Sequence, residues 1–117
     1  MTIASLSEVL QEAKKNNYAV AGLVVLGWED ARCYAETAED LNAPVILQAG
    51  PGCRANTPLP VLGKMFRYLA EQSSCPIVCH LDHGYTKEEC LKAIDNGFTS
   101  VMFDGSNLSL NENIEKT

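Results

Sequence analysis

Val78-Cys79-His80-Leu81-Asp82-His83-Gly84 is the stretch on which the reading of this 117-residue chain turns. Leading into it, Cys75-Pro76-Ile77-Val78-Cys79 reads as a buried strand, an apolar run of strand length opened by Pro76 and closed by Gly84. A strand ending in Asp-His-Gly carries a carboxylate and an imidazole to its C-terminal tip. In parallel α/β folds that tip is where active sites lie. Consecutive strand residues point to opposite faces, so Asp82 and His83 share a direction only if the strand bends there. Gly84 is the residue expected to permit the bend.

Outward from this strand, apolar runs alternate with helical periodicity. Ser5 or Ser7 is placed to cap a short helix through Lys15, with Leu6, Val9, Leu10 and Ala13 on one face, ended by Asn16-Asn17. Tyr18 to Leu26 is an uninterrupted apolar run, the pattern of a strand buried on both faces. Gly27 breaks it, and Trp28 through Leu41 has helical period. Asn42-Ala43-Pro44 turns the chain into a second buried strand, Val45-Ile46-Leu47-Gln48. A loop from Ala49 to Pro58 leads to a helix from about Leu59 to Gln72. After Gly84, Thr86 with Glu89 three residues on reads as a capping box, for a helix running to Asp95 and stopped by Gly97. Phe98 to Phe103 is a fourth strand ending in Asp104-Gly105-Ser106, and Asn107 to Thr117 begins a further helix.

Four short strands with helices between them predict a parallel sheet, because each return to a parallel strand needs a crossover. Two architectures satisfy this order: a small open doubly wound sheet, or half of an eight-stranded β/α barrel, for which about 250 residues are typical. No glycine-rich dinucleotide fingerprint follows the first strand, which weakens the first. A sequence that stops inside a helix, and a leading short helix able to plug the bottom of a barrel, favour the second.

The composition, 46% hydrophobic and 21% charged, is that of a folded domain with a core. A net charge of -6 and a pI near 4.8 argue against nucleic acid or an anionic membrane as partner. The five cysteines are odd in number and lack metal-finger spacing, so they are expected as free thiols of a reducing compartment. Cys75 and Cys79, four apart in the predicted strand, share a face and are explained by packing. No basic leader with an apolar core and no membrane-length apolar run is found, so a cytoplasmic protein is expected.

His80-Leu-Asp-His-Gly84, Cys90-Leu-Lys-Ala-Ile-Asp-Asn-Gly-Phe98, Ser100-Val-Met-Phe-Asp-Gly-Ser106 and Glu112-Asn113-Ile114 together resemble the class II, zinc-dependent aldolases, nearest the branch that handles fructose- or tagatose-bisphosphate. The likeness extends more diffusely through Tyr18-Ala-Val20, Ala43-Pro-Val-Ile46 and Pro51-Gly52. It implies a (β/α)8 TIM barrel of which residues 1–117 are the N-terminal half, the first four β/α units. It implies Zn²⁺ as cofactor and reversible cleavage of a ketose bisphosphate to dihydroxyacetone phosphate and an aldehyde. By the same resemblance Asp82 matches the catalytic aspartate that exchanges a proton with the substrate oxygen. His83 matches the first zinc ligand, and Asp104 an aspartate near a second or alternative cation position. Members are commonly dimers or tetramers.

Each position also has a structural reading. His80, one pleat earlier, is expected as a satisfied core or supporting histidine. Asp104 can equally cap the next helix. Trp28 and Tyr34 fit helix packing, Arg54 reads as a solvated surface arginine, and Gly50-Pro51-Gly52 is a weak phosphate-loop signal. The chain departs from the family's pattern where asparagines are usual, at Val24 and Gly27, and where a hydroxyl residue is usual, at Gly50. These positions shape the substrate end of the pocket, so the sugar phosphate is not specified and no substrate-binding residue is assigned. A catalytic zinc site takes three protein ligands and an open position; His80 and His83 are the two histidines here. The alternative to an enzyme is a non-catalytic half-barrel that pairs with itself or a partner to cover its open edges.

Overall fold

The computed structural model describes residues 3–117. Its order is β1 (Ile3–Ala4), α1 (Leu6–Asn16), β2 (Ala21–Val24), α2 (Trp28–Asp40), β3 (Val45–Ala49), α3 (Pro51–Asn56), α4 (Leu59–Gln72), β4 (Ile77–Gly84), α5 (Lys87–Asp95), β5 (Ser100–Phe103) and α6 (Leu110–Lys116). All pairings are parallel. β2, β3, β4 and β5 lie side by side in sequence order, and β1 joins the start of β4 through Ile3–Ile77 and Ala4–Val78. Sequential parallel neighbours with a helix between each pair are the units of a β/α barrel, and the doubly wound alternative falls away.

Strand alternation divides the side chains between two faces. Val45, Leu47 and Ala49 of β3, with Ile77, Cys79 and Leu81 of β4, face outward. They form one core with Ala31, Ala35, Leu62, Phe66, Ala93 and Phe98 from the helical layer. The alternate residues Ile46 and Val78 face the concave side, where they meet Val9 of α1 with Leu6 and Val20 packed beside them. Helix α1 therefore plugs the N-terminal end of the sheet, as its position in the chain suggested. It is fixed by a reciprocal cap between Ser5 and Glu8 and ends at Asn17 in the left-handed region, φ 57°.

Several local expectations change. The run from Tyr18 to Leu26 pairs over Ala21–Val24 alone, and Val24 is 51% exposed. β2 is an edge strand paired with β3, and of its four residues Leu23 alone is partly buried, so an apolar run did not mean burial on both faces. Part of the Ala49–Pro58 loop is helix α3, with Pro51 at its first turn, where a proline has no hydrogen bond to lose. Cys75 is buried but precedes the strand, while Cys79 is buried within it. Thr86 does cap α5 by accepting from the Glu89 N–H, and Gly97 follows that helix with φ 93°. The Glu89 carboxylate does not complete the box; it accepts from the Tyr85 N–H instead. Trp28 lies against Tyr68, ring centroids 6.3 Å apart.

Candidate active site

The concave face is layered. Parallel register places Gly22, Ile46 and Val78 in one row and Val24, Gln48, His80 and Ser100 in the next. The rows thus change from apolar to polar on moving toward the C-terminal ends of the strands. The Gln48 amide packs over Gly22, where a Cβ would sit 3.0 Å from it. His80 is buried and satisfied, its Nδ1 2.8 Å from Ser100 Oγ, which is the supporting role expected of it. Burial, opposed by the charge of Asp82, holds its pKa below the usual histidine value.

Above this row β4 leaves regular geometry. Leu81 pairs with Val101 and Gly84 with Phe103, so β4 spends one residue more than β5 over the same span. That is a β-bulge, and bulges re-aim side chains and increase local twist. His83 takes the left-handed conformation, φ 54°, and Gly84 does not. The bend lies one residue earlier than expected. Gly84 serves a different need, close approach: a Cβ there would meet Cys90 Sγ at 2.8 Å and the Met102 carbonyl at 3.1 Å.

The bulge brings Asp82 and His83 together. Asp82 Oδ2 lies 3.7 Å from His83 Nε2 and Asp82 Oδ1 4.0 Å from His80 Nε2. On the other side of the imidazole, His83 Nδ1 is 2.8 Å from Asp104 Oδ2 at the tip of β5. An ionised carboxylate only accepts, so Nδ1 carries the hydrogen and Nε2 is the outward-facing nitrogen. Asp104 does not cap α6; Ser109 does. Its Oδ1 accepts from the Ser106 N–H at 3.0 Å. Hydrogen bonds from the Ser106 hydroxyl and N–H, then from His83, hold the Asp104 carboxyl down at about 2. The hydrogen bond to Asp104 and the charge of Asp82 raise the pKa of His83.

This is a carboxylate–imidazole pair with its free nitrogen half-exposed, the His83 side chain at 45% and Asp104 at 10%. In metal sites such a second carboxylate fixes the tautomer and raises the basicity of the ligating ring. The donor set thus fits one arm of a zinc site, through His83 Nε2. Among the described residues no group of three His, Cys, Asp or Glu converges as a complete ligand set. Gly50 borders the site, where a Cβ would lie 3.8 Å from Asp82 Oδ2.

Arg54 overturns its sequence reading. Its side chain is 7% exposed, with Nε 2.9 Å from Glu89 Oε1. Nη1 donates to the carbonyls of Ala49 at 2.7 Å and Asp82 at 2.6 Å, and Nη2 to that of His83 at 2.8 Å. The proline-started turn of helix after Gly50 was the available signal. It turns the Arg54 side chain back toward the strand ends.

The family profile described as fructose-bisphosphate aldolase class-II matches residues 4–117. The chain is 38% identical to the 6-phospho-5-dehydro-2-deoxy-D-gluconate aldolase of Bacillus licheniformis, covering 100% of this chain and 41% of that one. It is also 38% identical to the fructose-bisphosphate aldolase of Staphylococcus epidermidis, covering 42% of it. Its structure matches that of the YdjI aldolase from Escherichia coli with a TM-score of 0.90 and 29% identity, over 97% of this chain and 44% of the other. The chain thus spans less than half the length of the relatives it matches. No helix among the described residues is long and apolar enough to cross a membrane. The sheet order, the plugged lower end, the layered concave face and the profile match agree: this chain belongs to the class II fructose-bisphosphate aldolase family.

Proposed function

We propose that this chain supplies the proton-transfer residue and one metal ligand of a zinc-dependent aldolase that cleaves a phosphorylated ketose. The observation carrying this reading is the bulge that turns Asp82 and His83 to one side of a strand end, with Asp104 behind the imidazole. Retro-aldol cleavage needs a base on the hydroxyl β to the carbonyl and a sink for the electrons left on the α-carbon. Asp82 is the base: its carboxylate takes the hydroxyl proton in cleavage and returns it to the aldehyde oxygen in condensation. His83 would hold the metal through Nε2; Asp104, hydrogen-bonded at Nδ1, fixes the tautomer that leaves the Nε2 lone pair for the metal and makes that nitrogen more basic. A zinc ion bound there supplies Lewis acidity toward the ketone carbonyl. A catalytic zinc site takes three protein ligands, and among the described residues no group of three His, Cys, Asp or Glu converges.

The relatives' names span fructose bisphosphate and a phosphorylated deoxy-ketogluconate, so what their substrates share is a phosphorylated polyhydroxy ketone, of which a phosphorylated ketose is one case. Val24 stands in the polar row beside Gln48, and Gly50 stands against Asp82. An apolar side chain and a missing hydroxyl there favour a substrate less hydroxylated near its reacting carbons than a hexose bisphosphate. A cytoplasmic location and a homo-oligomer belong to the same proposal.

The test takes the protein as its own cells produce it, beginning with its intact mass and zinc content. Zinc-dependent cleavage of fructose and tagatose 1,6-bisphosphates, and of 6-phospho-5-dehydro-2-deoxy-D-gluconate, is then measured. The Asp82→Ala variant should lose about 10²–10⁴-fold in kcat while keeping its zinc. Unchanged turnover would overturn the role of Asp82. Two observations favour a second reading, a non-catalytic half-barrel that pairs with another copy or a partner chain. Among the described residues these are the lack of a converging ligand trio and the outer edges of β2 and β5, to which no strand pairs. Absence of stoichiometric zinc from the native protein would select it.

A further inference from the structure

A bulge disrupts the ladder locally, and carbonyls at the end of a parallel strand have few neighbours to accept from. The Asp82 and His83 carbonyls therefore need donors from elsewhere, and His83 must also be kept in a left-handed conformation that a residue with a Cβ avoids. Arg54 meets the first need. Its guanidinium reaches both carbonyls and that of Ala49, tying the ends of β3 and β4 to one rigid group. Glu89 holds the remaining edge of the guanidinium through Nε. Its other oxygen accepts from the Tyr85 N–H, so residues 82–85 are gripped from both sides. A planar fork with five donors suits this task, and a lysine's single ammonium does not.

We propose that Arg54 is a positioning residue which, braced by Glu89, holds the Asp82–His83 bulge in the geometry that presents both side chains to one side. This inference deepens the aldolase reading and rests on it for the consequence in turnover, but not for the consequence in structure. The hydrogen bonds of Arg54 to the two residues go to their backbone carbonyls and not to the Asp82 carboxylate or the His83 ring.

The test uses the intact native protein with Arg54→Ala, Arg54→Lys and Glu89→Gln, and Arg32→Ala as a surface control. Hydrogen exchange is followed in the zinc-stripped protein over the peptide containing residues 82–85. The prediction is faster exchange there in Arg54→Ala, with core peptides unchanged. In the loaded protein, zinc affinity and kcat should each fall about 10–100-fold, the usual effect of removing a group behind the ligands. KM should stay within about threefold, since no substrate contact is lost. Methylguanidinium should restore part of the loss in Arg54→Ala, whereas Arg54→Lys should restore little. Glu89→Gln should show a smaller effect of the same sign, and it decides the matter with Arg54→Lys if Arg54→Ala does not fold. Unaltered exchange over residues 82–85 with unaltered zinc affinity would overturn the proposal. Full recovery by lysine would too, because charge alone would then suffice. If the wild-type protein cleaves no phosphorylated ketose, the aldolase reading fails while the exchange measurement still judges Arg54.

Discussion

At the N-terminal ends of its strands the sheet closes on Val9, Ile46 and Val78 in regular register. At the C-terminal ends the same strands finish in a bulge, a left-handed histidine and a set of charged side chains joined by hydrogen bonds. β4 runs through both regions, from Ile77, buried on the outer face, to Asp82, at the rim. The lower end is specified by burial, which is non-directional and tolerant of exact geometry. The upper end is specified by hydrogen bonds, which demand particular partners. Stability and chemistry are thus assigned to opposite ends of one strand, and substitutions should separate them.

The largest expected effect is at the rim. Asp82→Asn should lower cleavage by about 10²–10⁴-fold with little change in the melting temperature, measured by calorimetry beside the steady-state assay. A large drop in melting temperature would mean the rim is part of the stabilising core. Leu47→Ala should do the reverse, costing about 2–5 kcal/mol in denaturant unfolding because a fully buried side chain leaves a cavity. Turnover per folded molecule should hold.

Gly84→Ala probes the seam between the two regions. The added methyl would press on Cys90, Leu81 and the Met102 carbonyl, for about 1–3 kcal/mol. Both melting temperature and kcat should fall, because the displaced backbone belongs to the bulge.

The smallest effects belong to the cap of α1, far from the rim. Ser5→Ala should cost about 1 kcal/mol and leave kinetics untouched. Hydrogen bonds from the Ser5 backbone and then its hydroxyl lower the pKa of Glu8. A carboxylate with a depressed folded pKa contributes stability that is present above its unfolded pKa, about 4.3. That contribution is lost as pH falls through the lower folded value. The difference in melting temperature between wild type and Glu8→Ala should therefore be present at neutral pH and vanish in acid.

The parts legible in the sequence were those governed by period and punctuation. Val45 to Gln48 and the run from Cys75 to Cys79 announced themselves as buried strands, and Asn17 and Gly97 marked helix ends through their tolerance of positive φ. Asp82 and His83 stood out at a strand tip. The bulge that unites them was not legible, because it depends on how β4 counts against β5, and a single strand carries no record of its partner's register. Arg54 was missed for a related reason. Its burial follows from carbonyls that only the bent strand leaves unpaired, and an arginine in a glycine- and proline-rich turn otherwise reads as solvated. The exposure of Val24 likewise goes with β2's place at the edge of the sheet, which no local pattern encodes.

The pairing of Ile3 with Ile77 bears on how the chain comes into being. A ribosome adds about 5–20 residues per second, so β1 leaves the exit tunnel several seconds before the strand it must join. Until then the apolar face of α1 has no Ile46 and Val78 to cover, and β1 has no edge to extend. β1 is therefore made well before the strand that fixes it. Long-range parallel closure of this kind is slow, which makes the nascent stage the interval when a chaperone would find the most to hold.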